Sequence, residues 1–448
     1  MTDAKTAGNM STARLLVAER ARRDKQGKFP GLARLIDVEA LRTAYQRLRP
    51  DAAVGVDGVS KAEYGRDLET RLADLHQRLV SKRYRHQPLK RVYIPKDNGE
   101  KRALGISTVE DKIVQEALRA VLELVYEPMF LECSYGYRPG RSAHDALRQL
   151  DRVVYQGGVR VILEADIVAF FDSVDRTRLK ELLSERVVDG SMQRLIGKCL
   201  HVGVLDGEEY EEPEGGTPQG SVLSPLLGNI YLHYVLDQWF EEQVKPRLRG
   251  RAYLIRYADD LVMGFERWDD AERVREVLPK RMGKFGLTLH PEKTRLFRFE
   301  PPKEETGTGT ATFDFLGFTC YWRRTLSGGW SMRCKTRRAR LARAVRRVAQ
   351  FCRRNRHRPV KEQHARLASR LRGHFNYFGV NGNIESLMVL YHRTKKLWKK
   401  WLGRRSQRTN MTWERFGGIL QTLPLPRPTA ASASGGASAG QAVSKAKT

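Results

Sequence analysis

Residues 254–263 read Leu-Ile-Arg-Tyr-Ala-Asp-Asp-Leu-Val-Met, two apolar runs of strand length that meet at a pair of adjacent acids. That pattern predicts a β-hairpin with Asp259 and Asp260 at its tip. A second apolar run, residues 160–167, is predicted as a strand with Asp166 at its end, and Phe170, Phe171 and Asp172 follow directly. Asp172 is expected to cap a helix beginning at Ser173. Ser224 before Pro225 has the form of a helix N-cap followed by a first-turn proline, so the Gly- and Pro-bearing stretch before it is predicted as a loop. Further along, Leu341, Val345, Val348 and Cys352 recur at helical spacing, with Arg337, Arg338, Arg340, Arg346, Arg347, Arg353 and Arg354 on the other faces. This describes a helical bundle with a basic exterior. Residues 11–49 read as two basic amphipathic helices separated by a Gly and Pro loop at 27–31, and no internal repeat is present. Pro424, Pro426 and Pro428 end the helical pattern, and 429–448 hold only Ala, Ser, Gly, Thr, Gln, Val and Lys, a composition expected to be disordered.

Composition sharpens this picture. The 448 residues, 41% hydrophobic and 30% charged, suit a folded chain of two or three domains. Lys and Arg number 81 against 52 acids, a net charge of +29, and residues 331–410 alone hold 24 Lys and Arg against two acids, Glu362 and Glu385. A charge so concentrated points to a polyanion such as nucleic acid, the bland alternative being a solvated helix face. The five cysteines (Cys133, Cys199, Cys320, Cys334, Cys352) form no close pair in sequence, which argues against a disulfide framework or a zinc ribbon and for a reducing cytoplasm. No stretch approaches the ~20 apolar residues of a membrane span, and no signal peptide is expected. Beyond Gly418 there is no His, Cys, Asp or Glu, so a metal-dependent nuclease domain is not expected at the C-terminus.

Adjacent carboxylates at a tight turn repel, and a divalent cation between them removes the cost. Taken alone, an Asp-Asp turn is equally an ordinary polar loop. Asp166, carried beside the hairpin by sheet pairing, would complete a two-metal site for in-line phosphoryl transfer. Between these acids, Gly-Gly-Thr-Pro-Gln-Gly at 215–220 offers backbone and the Gln219 amide to a nucleotide, or serves only as a connection.

The order of these motifs resembles the reverse transcriptases encoded by group II introns, the intron maturases, over nearly the whole chain. The resemblance is carried by Val-Gly-Val-Asp-Gly-Val at 54–59, the block at 94–106 beginning Ile-Pro-Lys-Asp-Asn-Gly, and Ser-Tyr-Gly-Tyr-Arg-Pro-Gly-Arg-Ser at 134–142. The two acid motifs and the Thr-Pro-Gln-Gly loop come next. Phe-Gly-Leu-Thr-Leu-His-Pro-Glu-Lys-Thr at 285–294, Phe-Asp-Phe-Leu-Gly-Phe at 313–318 and the thumb signature at 371–378 complete the order. The resemblance implies an α/β (α+β) right-hand polymerase. A basic helical extension would span 1–49, fingers and palm with an antiparallel palm sheet 50–325, a helical thumb or maturase domain X 326–420, and a disordered tail 421–448.

By the same resemblance Asp166 and Asp259 bridge two Mg²⁺ ions, with Asp260 the less certain ligand. Lys96 and Arg102 clamp the triphosphate, or are two exposed loop cations. Phe171 is the aromatic gate that rejects a 2′-hydroxyl, or a plain core aromatic whose neighbour Phe170 points elsewhere if both are extended. Gln219 lines the nucleotide pocket, Lys293 assists proton transfer to pyrophosphate, Tyr257 lies near the primer end or is equally packing, and Leu316 and Gly317 belong to a primer-gripping turn or to a buried hairpin. Arg337, Arg338, Arg346 and Arg347 are expected to contact RNA. Two positions depart from the family pattern: Ala103 stands where proline usually follows the arginine, and His374 where tryptophan is frequent. The implied function is an RNA-directed DNA polymerase and maturase of the endonuclease-lacking type. Its partners would be intron RNA, an RNA template, a DNA primer or target and dNTPs, with no membrane, in the cytoplasm at the nucleoid. The alternatives are an RNA-binding splicing cofactor without polymerase activity and a reverse transcriptase of a retron, diversity-generating or CRISPR-linked element.

Overall fold

The computed structural model describes residues 12–95, 101–212, 215–302, 311–405 and 411–429, and the chain divides into two compact units, 1–298 and 299–448. In the first unit, helices Thr12–Arg23 and Val38–Arg47, joined through a 3₁₀ turn at Leu32–Leu35, pack on the long helix Val109–Tyr126. Asp37 caps the second of them through the Ala40 amide. A small sheet runs in the order Lys101–Ile106, Leu89–Pro95, Val204–Asp206, Glu209–Glu211, its first two strands antiparallel. The strands at 204–211 are too short to leave a periodic signal, and the hydrophobic pattern did not predict them.

The second sheet positions the acids. Its order is Ala252–Tyr257, Asp260–Phe265, Val161–Ala165, Arg295–Arg298, antiparallel throughout. Val161–Ala165 is central and buried at all five positions, as a strand covered on both faces must be. Helix Trp268–Gly283 packs on three of the strands. The predicted hairpin is present: Tyr257 pairs with Asp260, leaving Ala258 and Asp259 as a two-residue turn with Ala258 at φ 57°.

Two local expectations are corrected. Asp172 does not cap a helix at Ser173. It lies inside the single turn Phe170–Ser173, and the following helix Arg176–Ser184 is capped by Asp175, which accepts from the Thr177 and Arg178 amides. Phe170 and Phe171 therefore sit on a helical turn rather than an extended segment, Phe170 buried and Phe171 half-buried. Ser224 is the first residue of helix Ser224–Leu232 rather than its cap, and its hydroxyl donates to the Pro218 carbonyl at 2.9 Å. That helix continues as π-helical turns, His233–Asp237 and Trp239–Val244.

His233 is enclosed between Phe130 and Tyr234 at ring separations of 5.6 and 5.2 Å, and neither ring nitrogen has a hydrogen-bond partner among the described residues. Burial pushes its pKa down to about 4 from an ordinary 6.5. The unfolded chain then binds the proton that the native imidazole refuses, so stability is complete above pH 6.5 and falls as the pH drops toward 4. The expected loss is on the order of 2–3 kcal/mol across that interval. Urea unfolding at stepped pH measures it, and His233→Phe is expected to flatten the profile there.

The second unit opens with a meander of Phe313–Phe315, Phe318–Arg324 and Trp330–Thr336. Helices Arg338–Arg354, Val360–Phe378, Ile384–Leu402 and Trp413–Thr422 follow. The expected helical stripe is present: Val348 and Cys352 are buried, Leu341 and Val345 half-buried, and Arg337, Arg338, Arg346 and Arg347 exposed. Trp398 centres the helical core, donating to Gln363 Oε1 at 3.1 Å with Phe416 at 5.5 Å. The compact units part at 298/299. Phe299 stacks on Trp322 at 5.3 Å and meets Phe313 at 5.0 Å, and Phe318 packs on Tyr377 and Phe378, so the meander shares its core with the helices. Cys320 and Cys334, far apart in sequence, are cross-strand partners with sulfurs 3.1 Å apart. Among the described residues no helix is long and apolar enough to cross a membrane.

Candidate active site

Register brings the acids together. Ala165 pairs with Leu261, so the next step of that register carries Asp166 to Asp260, while on the other side the ladder ends at Glu164–Arg295 and the chain turns at 291–293. Lys293 Nζ donates to Asp166 Oδ2 at 2.7 Å, and the His290 amide donates to the Asp166 carbonyl at 2.8 Å. Asp259 is half-buried and Asp260 exposed. Burial raises the Asp259 carboxyl above the ordinary 3.8, the Asp166 charge raises it further, and Arg102 and Arg256 oppose the shift. Asp166 and Asp259 are thus close enough to repel.

Among the described residues no cluster of three or more His, Cys, Asp or Glu side chains stands ready-made around a metal position. The Lys293 ammonium supplies the positive charge at Asp166 instead. The donor set still fits a hard divalent cation, because Asp166 and Asp259 offer carboxylate oxygens whose mutual repulsion such an ion would cancel. Asp166 and Asp259 are the pair that would hold it.

Around the acids, the loop at 215–221 is stitched to its neighbours. The Thr217 amide donates to the Phe171 carbonyl at 2.6 Å, Gln219 Nε2 to Asp172 Oδ2 at 2.9 Å, and the Gly105 amide to the Gln219 carbonyl at 2.7 Å. A Cβ on Gly216, at φ 76°, would meet the Phe171 carbonyl oxygen at 2.7 Å, and one on Gly220 the Gly105 oxygen at 2.6 Å. Those glycines are needed for close approach of three backbones. The result is a brace holding Gln219, Phe171 and the strand that carries Arg102. Arg102 is exposed and pairs with Ile94 across its sheet, near enough to act electrostatically on Asp259 and Tyr137. Lys96 lies outside the described residues.

Tyr257, half-buried, has its ring 6.4 Å from that of Tyr137. The pattern did not single out Tyr137, although it is 57% exposed and held at φ 56° beside the carboxylates. The signal was a bulky side chain in a Gly- and Pro-rich turn. Its neighbour Gly136 explains that turn, since a Cβ there would lie 2.4 Å from the Ala258 amide nitrogen. In the second unit Leu316 and Gly317 form a two-residue turn at φ 53° and 80°; the Tyr377 hydroxyl donates to the Leu316 carbonyl and the Arg337 amide to that of Gly317. Arg337 pairs with Asp314 at 3.0 Å.

Residues 94–320, half of the chain, match the family model of the reverse transcriptase (RNA-dependent DNA polymerase). The chain is 41% identical over 217 residues to the group II intron-encoded protein LtrA of Lactococcus lactis subsp. cremoris, covering 46% of this chain and 36% of that protein. It is 34% identical over 275 residues to protein YkfC of Escherichia coli K12, covering 54% of this chain and 71% of the relative. Nuclear intron maturase 4 of Arabidopsis thaliana is 28% identical over 264 residues, 56% of this chain and 30% of the relative. The chain thus spans about a third of the length of the Lactococcus protein. An α/β unit with an antiparallel sheet, followed in sequence by a helical unit, is the right-hand polymerase class of fold. The chain belongs to the reverse transcriptase family, and it is similar to a protein encoded by a group II intron.

Proposed function

We propose that the chain is an RNA-directed DNA polymerase that copies intron RNA into DNA and binds that RNA as a maturase, aiding splicing and mobility. The observation that carries this reading is the register of the acid-bearing strands, which sets the end of one beside the tip of a hairpin. Asp166 and Asp259 would hold two Mg²⁺ ions, with Asp260 at their side. Bound there, the ions supply activation of the primer 3′-hydroxyl and stabilisation of the leaving oxygen. The remaining work belongs to the chain itself. Arg102, with Lys96, binds the triphosphate, and a cation there offsets charge on the departing pyrophosphate. Phe171 lies under the sugar and excludes a 2′-hydroxyl, while Gln219, fixed by Asp172, orients the nucleotide. Lys293, released from Asp166 when the site is loaded, gives its Nζ proton to the pyrophosphate. Tyr257, Leu316 and Gly317 guide the primer end.

The maturase half is supported by the basic helices of the second unit, whose exposed arginines suit an RNA backbone read by shape and phosphate contact. Arg337, Arg338, Arg346 and Arg347 are the proposed contacts, and the setting is a reducing cytoplasm at the nucleoid. The test is primer extension by the purified chain on an RNA template with dNTPs and Mg²⁺, beside splicing of a group II intron RNA with and without the protein. Extension with faster splicing is the expected result. Tight RNA binding without extension would contradict the polymerase half.

A further inference from the structure

Arg256 stands two residues before the Ala258–Asp259 turn and is fully buried, and all its N–H donors are engaged. Nε and Nη2 meet the two Asp237 oxygens at 2.7 and 2.6 Å. Nη1 donates to Asn229 Oδ1 at 3.0 Å and to the Ala258 carbonyl at 2.9 Å, and Nη2 also donates to the Ser134 hydroxyl at 2.8 Å. Its backbone is clamped as well, the Arg256 amide to the Cys133 carbonyl and the Tyr135 amide to the Arg256 carbonyl, each at 2.8 Å. Asn229 Nδ2 closes the circuit on the Gly136 carbonyl at 2.7 Å, directly under the turn.

The helix is shaped to serve this arginine. At 3.6 residues per turn, positions 229 and 237 would overshoot two turns and stand about 80° apart on an α-helix. The wider π-helical winding at His233–Asp237 removes that overshoot, and both side chains reach one guanidinium. A well-packed apolar pair could fill the same space at no loss of stability, since taking two charges out of water costs several kcal/mol per ion. What such a pair lacks is a donor for the Ala258 carbonyl, the one bond from this network to the left-handed turn.

We propose that Arg256, locked by Asp237, is a positioning residue that sets the Ala258–Asp259 turn and so the aim of the Asp259 carboxylate toward its cation. The inference rests on the polymerase reading of the site. Arg256→Lys keeps the charge opposite Asp237 but loses the fork that reaches Ala258. The paired change Arg256→Met with Asp237→Leu removes both charges and keeps the volume. The measurements are Mn²⁺ binding by electron paramagnetic resonance on the full chain with primer and template, Tm, and steady-state kinetics.

Both variants are expected to lose about 10- to 100-fold in Mn²⁺ affinity or kcat. The dNTP KM is expected to stay within about twofold, because uniform nucleotide binding is untouched. Arg256→Lys is expected to melt below the wild type, since it leaves some of the buried acceptors on Asp237, Asn229, Ser134 and Ala258 without a donor, yet to remain folded. A folded Arg256→Lys chain with wild-type Mn²⁺ affinity and kcat overturns the proposal, as does a loss of activity that tracks Tm with metal affinity unchanged. A wild type that neither extends a primer nor binds Mn²⁺ counts against the polymerase reading instead.

Discussion

Asp259→Asn is expected to stop nucleotide addition while leaving the chain folded. The amide keeps the volume and removes the anionic oxygen that a hard cation needs. The loss in kcat should reach about three decades, some 4 kcal/mol of barrier. Stability should move the other way. The native Asp259 carboxyl titrates above the ordinary 3.8 because it is half-buried and faces the charge of Asp166. The native state therefore holds its proton longer than the unfolded chain, and stability falls as the pH rises from 3.8 through the native value. Asp259→Asn deletes that term, so the metal-free variant should be at least as stable as the parent near neutrality. Single-turnover extension and urea unfolding measure the two effects. A variant that lost stability and activity in proportion would mark Asp259 as structural.

Phe171→Ala is expected to admit ribonucleotides. The ring is half-buried, 5.2 Å from that of Phe170, and its own carbonyl is held by the Thr217 amide at 2.6 Å. A side chain fixed from behind in this way can act as a wall. Removing it should cut the preference for dNTP over rNTP by about 100-fold, the scale on which pocket shape discriminates. Because Phe170 rather than Phe171 fills the core, the stability cost should stay below the ~3–5 kcal/mol of a buried Phe→Ala change. The ratio of kcat/KM for the two sugars reads the effect. An unchanged ratio in a folded variant would assign Phe171 to packing alone.

The hairpin and the strand before Asp166 were legible because apolar runs of strand length ended at charges, and the sheet then had to bring those ends together. The stripe from Leu341 to Cys352 was legible for the same kind of reason, a period of 3.6. The capping role of Asp172 was misread because Asp172 and Asp175 both precede helical stretches, and only backbone conformation decides between two acids three residues apart. The place of Phe299 in the second unit was not legible, because its partners Phe313 and Trp322 lie well along the chain, where no local pattern links them. Cys320 and Cys334 were apart on the page for a similar reason, since cross-strand pairing depends on register. Arg256 was visible as a charge in an apolar run, yet its partners come from three separate segments. The π-helical winding that aligns two of them leaves no mark in composition.

The most direct test of the account is where a cation sits. Crystals of the chain with primer, template and a non-extendable dNTP, soaked in Mn²⁺, would give its position by anomalous scattering. The account predicts a peak about 2.1 Å from carboxylate oxygens of both Asp166 and Asp259. Lys293 Nζ should have left Asp166 Oδ2, which it meets at 2.7 Å in the free chain. An intact Lys293–Asp166 pair, with Mn²⁺ bound only elsewhere and nucleotide in place, would contradict it.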